Sequence, residues 1–101
     1  MRLEISEDAE RDLRNIYRQG VTAFGLGQAD DYIDSLLAAM DLIADFPKIA
    51  RLRMDYNPPT RIYLHGSHAI VYDLDEAEGR VVVVRIRHGH EDWQGLSSEE
   101  S

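Results

Sequence analysis

The stretch Thr60-Arg61-Ile62-Tyr63-Leu64-His65-Gly66-Ser67-His68-Ala69-Ile70-Val71-Tyr72 decides the fold. Two runs rich in aromatic and β-branched residues flank Gly66-Ser67, a pair suited to a tight hairpin turn. The pattern predicts strands over 60–65 and 68–74. Downstream, residues 75–79 read Asp-Glu-Ala-Glu-Gly, a loop, and 80–87 contain four consecutive valines, too β-branched to prefer helix. Three strands joined by short connections make an antiparallel meander. Upstream, Asn57-Pro58-Pro59 breaks regular structure, so 48–59 reads as irregular.

Further outward the periodicity changes. Residues 28–45 place Ala29, Tyr32, Ile33, Leu36, Leu37, Met40, Ile43 and Ala44 at helical spacing, and Pro47 stops the run. Before the Gly25-Leu26-Gly27 turn, a first helix carries Ala9, Leu13, Ile16, Tyr17 and Phe24 on one face, with Ser6 as N-cap and Glu7, Asp8 and Glu10 in its first turn. Leu3 and Ile5 alternate with Arg2 and Glu4, which predicts a strand over 2–5. The expected class is α+β: an N-terminal strand, a two-helix hairpin and an antiparallel β-meander, with the helices packed on one sheet face. Residues 1–96 form one domain, and the polar end, 97–101, is expected to be a disordered tail.

Composition narrows the function. The 101 residues contain no cysteine, which excludes disulfides and thiolate metal sites, and no apolar run approaches a membrane span. Nothing at the start resembles a signal peptide, so a cytoplasmic location without membrane association is expected. Net charge is −8. It divides into −5 over residues 1–50, +1 over 51–90 and −4 over 91–101. An acidic whole repels nucleic acid, and no direct DNA binding is expected. The middle stretch nonetheless carries six arginines. Arginine favours forked contacts to carboxylates and phosphates.

Alternation assigns Ile62, Leu64, Val82, Val84 and Ile86 to the face under the helices, leaving Arg61, Tyr63, Arg85 and Arg87 together on the open face. Such a face could grip phosphate or acidic groups, or be solvated with ordinary ion pairs. His88 could act as a general base. His88 and His90 sit two apart, but a closed zinc site needs about four ligands, and none is expected here. Trp93 could seal the sheet edge or anchor a partner. No cofactor motif is present.

Four blocks, in order, resemble the ParE toxins of the RelE/ParE superfamily: residues 3–13 (LEISEDAERDL), 38–47 (AAMDLIADFP), 61–72 (RIYLHGSHAIVY) and 84–93 (VRIRHGHEDW). The resemblance spans about residues 2–95. It implies a toxin of a type II toxin–antitoxin system that inhibits DNA gyrase by binding it, without an active site of its own, and is neutralised by a ParD-like antitoxin in a hetero-oligomeric complex. The related RelE branch cleaves messenger RNA on the ribosome. On that alternative Arg61, Arg85 and His88 would be catalytic. The missing tyrosine after His88 and the acidic charge weigh against it. The expected gyrase-facing residues are Arg85, Arg87, His90 and Trp93. Ile16, Tyr17, Phe24, Tyr32 and Leu36 exceed what a small sheet can cover, so they are expected to meet an amphipathic antitoxin helix.

Overall fold

The computed structural model of the chain describes residues 1–89. His90, Trp93 and the expected tail 97–101 lie outside the described residues. Element order is β1 (Arg2–Ile5), α1 (Glu7–Phe24), α2 (Leu26–Asp45), β2 (Leu52–Arg53), β3 (Thr60–His65), β4 (His68–Asp75) and β5 (Arg80–His88). The five strands form one sheet in the order β1-β5-β4-β3-β2. The meander is antiparallel as expected, while β1 runs parallel to β5, so the sheet is mixed.

Each boundary has a local cause. Ser6 Oγ accepts the Ala9 N–H at 3.0 Å and donates to Val84 O at 2.9 Å, so one hydroxyl caps α1 and fixes its start to β5. Gly25, at φ 93°, is the whole connection between the helices. Gly27, expected in the turn, lies inside α2, because one left-handed residue suffices to reverse the chain. Near the tip, a Cβ on Gly20 would meet the Ala29 Cβ at 3.3 Å, so glycine there sets how closely the helices approach. After α2, the Tyr72 hydroxyl donates to Pro47 O at 2.7 Å, and Arg61 Nη1 donates to Ala50 O at 2.7 Å. These contacts hold the following loop on the sheet long enough for β2 to pair with β3. A two-residue strand leaves too little pattern to be read from sequence, and it was expected to be irregular.

The helices lie on one sheet face. Ala9, Leu36, Met40 and Ile43 meet Ile70, Tyr72, Val81, Val83 and Ile86 in a single core. Burial of each large side chain contributes about 1.5–3 kcal/mol. Two face assignments are corrected. Val81 and Val83, not Val82 and Val84, are buried, and Leu64 is 67% exposed. In β5 the register shifts: Tyr72 pairs with Val83 but Val71 pairs with Arg85, so Val84 is an extra residue. Alternation reverses across such a bulge, so one parity cannot describe the whole strand. In β3, Tyr63 pairs with Ile70 and packs against the core, while Ile62 pairs with Val71 on the other face.

Candidate functional site: a hairpin groove and a polar cleft

Two depressions flank α1. The larger, about 600 Å³, is lined among the described residues by the helical hairpin: Leu13, Tyr17 and Val21 on successive turns, Leu26 and Ile33 from α2, with Arg14, Arg18 and Thr22 beside them. Leu13, Tyr17 and Val21 follow the i, i+4 rule and so form a continuous apolar ridge. A side-chain hydrogen bond to Asp30 pushes the Tyr17 hydroxyl pKa up. Phe24 and Leu26 stand exposed at the hairpin tip, at 67% and 59%.

The smaller depression, about 260 Å³, is polar. Asp12, Asn15, Ile16 and Gln19 of α1 face His68, Arg85, Ile86, Arg87 and His88. It exists because β1 pairs only with residues 80–83, which leaves the later part of β5 without a strand neighbour on that side among the described residues. Asp12 covers this edge. Its carboxylate accepts the Ile86 N–H at 2.9 Å and two bonds from Arg85, at 2.8 and 3.1 Å. Burial pushes the Asp12 carboxyl up, but the Arg85 and Ile86 hydrogen bonds outweigh it and hold the group below its ordinary value.

The residues singled out in the sequence are distributed as follows. Arg85 and His88 share the polar cleft. Arg61 does not join them: it pairs with Tyr72 on the helix-covered face, and its guanidinium is bonded to Ala50 O. The expected common face of Arg61, Tyr63, Arg85 and Arg87 is therefore corrected, because β3 faces the opposite way from its assignment. Among the five expected antitoxin contacts, Tyr17 lines the groove, Ile16 lines the polar cleft and Phe24 stands at the hairpin tip. Tyr32 is bonded to His68, and Leu36 is fully buried in the core. Leu13 and Tyr17 belong to the apolar face read from the sequence, whereas Val21, four residues further on, and Asp12 are not singled out by that reading. Among the described residues, no group of three histidine, cysteine or acidic side chains could hold a metal ion, and no helix is long and apolar enough to cross a membrane.

The fold is shared with a chain of the chromosomal ParDE TA system from P. aeruginosa, at TM-score 0.74, 17% identity, and coverage of 87% of this chain and 95% of that one. A β-strand, a helical hairpin and a mixed five-stranded sheet are thus the scaffold class. In sequence, the chain is 32% identical over 84 residues to Toxin ParE1 of Mycobacterium tuberculosis, covering 83% of this chain and 85% of the relative. It is 29% identical over 84 residues to Toxin ParE1 of Caulobacter vibrioides, covering 83% and 84%. The family model for the ParE toxin of the type II toxin-antitoxin system, parDE, matches residues 3–93, and the chain belongs to that family.

Proposed function

We propose that this toxin acts by binding DNA gyrase, without catalysis of its own, and that a ParD-like antitoxin silences it by laying an amphipathic helix in the hairpin groove. The carrying observation is the groove itself. Leu13, Tyr17, Val21, Leu26 and Ile33 give an apolar floor that the sheet does not cover, and Arg14 and Arg18 line the same groove, suited to acidic residues on the incoming helix. Val21→Asp should leave the helical signal intact by circular dichroism but prevent a co-expressed antitoxin from rescuing growth. Unimpaired rescue would contradict this placement.

The gyrase-facing surface in this reading is the end of β5 with the segment beyond it: Arg85, Arg87, His90 and Trp93. Arginine and tryptophan are enriched among residues that dominate binding energy. Arg87→Ala, or removal of residues 90–101, should abolish growth arrest and leave antitoxin binding intact. Growth arrest that survives both changes would move the target surface elsewhere. The separation of Arg61 from Arg85 and His88 weighs against a RelE-like nuclease centre. The charge of −8 weighs against both docking on ribosomal RNA and direct DNA binding. The reading places the chain in the cytoplasm with its target.

A further inference from the structure

Histidines 65, 68 and 88 converge where α2 crosses the end of the sheet. His65 pairs with His68, and His68 with His88, in adjacent registers. The His68 and His88 rings lie 4.9 Å apart between centroids, and the Tyr32 ring is 5.5 Å from His68. The Tyr32 hydroxyl is 2.6 Å from His68 Nδ1, lies 3.4 Å from His65 O, and accepts the Ser67 N–H at 3.2 Å. A hydroxyl has one proton to give, and the shortest contact takes it. His68 Nδ1 is then the acceptor, and its own proton sits on Nε2. Ser35 Oγ donates to Tyr32 O at 2.7 Å, so His65 Nε2 donates to Ser35 Oγ at 2.9 Å. The Gly89 N–H donates to Ser67 O at 2.7 Å, which ties the chain leaving β5 to the same turn.

We propose that Tyr32, His68 and His88 form a pH-operated latch that fastens the β3–β4 turn and the exit of β5 to α2, closed while His68 is neutral and opened by its protonation. A proton entering at Nδ1 reverses that contact: the Tyr32 hydroxyl must then accept from the ring as well as from the Ser67 N–H, and its own proton is left with the long contact to His65 O. His68 is only 8% exposed, so water offers the charged ring little help. Among the described residues, the groups around it do not compensate. His65 and His88 come from the strands, Arg85 and Arg87 line the adjoining cleft, and α2 presents Tyr32 and Ser35. The carboxylate that α1 contributes there, Asp12, is bonded to Arg85 and the Ile86 N–H. Burial first, then repulsion from His88 and His65, holds the His68 pKa below 6.5. A depressed histidine favours the native state while neutral, so the latch weakens as pH falls through the unfolded value of 6.5 and below it.

Ring titration of the full chain by NMR should find His68 ionising below the ordinary histidine range, and His88→Gln should raise its midpoint. Amide protection of Ser67 and Gly89 should fall by up to about tenfold per pH unit below about 6.5, the limit for one proton. His68 titrating at or above the ordinary value, or protection of both amides that does not change with pH, would overturn the latch. Both of these wild-type measurements decide the matter even if the variant fails to fold.

Discussion

Asp12 has a structural task that its position on a charged helix conceals. Its side chain, 14% exposed, satisfies the unpaired Ile86 N–H and holds Arg85 by two bonds. Strand edges with open N–H groups invite pairing with other chains, and a carboxylate at that place closes the opening. Asp12→Ala leaves the Ile86 N–H without its acceptor and removes two bonds from Arg85, so chemical denaturation should show a loss of about 1–3 kcal/mol. The carboxyl is held below its ordinary value, so its contribution is present above the unfolded pKa near 3.8 and is lost as pH falls through the lower folded value. An Asp12→Ala variant should therefore lose less stability than the wild type on acidification through that range. Tyr72 is the second such residue. Its buried hydroxyl donates to Pro47 O and accepts from Ala50 N–H at 3.4 Å. Tyr72→Phe strands both, and hydrogen exchange should show residues 47–50 opening more often, with about 1–3 kcal/mol lost overall.

Among the elements, the hairpin depends on its closest approach. Gly20 and Ala29 touch where the helices converge, so Gly20→Leu must push α1 from α2 or force strained rotamers. A thermal melt should show destabilisation of about 1–3 kcal/mol, and the groove should widen enough to weaken antitoxin binding. The elements were also what the sequence displayed best. β1 and β3 were expected at their observed limits, and β4 and β5 each extend one residue further. The stripe through Ala29, Leu36, Met40, Ile43 and Ala44 is buried as its spacing required. Sidedness was harder to read. In β3 apolar or amphipathic side chains fall on both faces, Ile62 and Leu64 on one and Tyr63 on the other, and the extra Val84 shows no mark within a run of valines. Parity counted through that run inverts the first half of β5. A separate reversal, of β3, put Arg61 beside Arg85 when β3 turns it towards the helices. Arg85, Arg87 and His88 were identifiable by residue type, but the Asp12 partner was not, because contact between α1 and β5 spans 73 residues of sequence.

At the scale of the molecule, uneven charge separates roles. The acidic hairpin half and the acidic end bracket an arginine-bearing sheet, so the net −8 tells less about partners than the surface each segment presents. A toxin that works by occupying a protein surface needs no catalytic constellation. It needs one face for its target and one for its antidote. On the proposed reading the hairpin groove and the end of β5 are those two faces, on either side of α1. The most direct measurement is DNA supercoiling by purified gyrase with increasing amounts of this chain. The account predicts dose-dependent loss of supercoiling that a ParD-like antitoxin reverses and that Arg87→Ala abolishes. Full supercoiling at saturating protein, together with cleavage of messenger RNA on translating ribosomes, would contradict it.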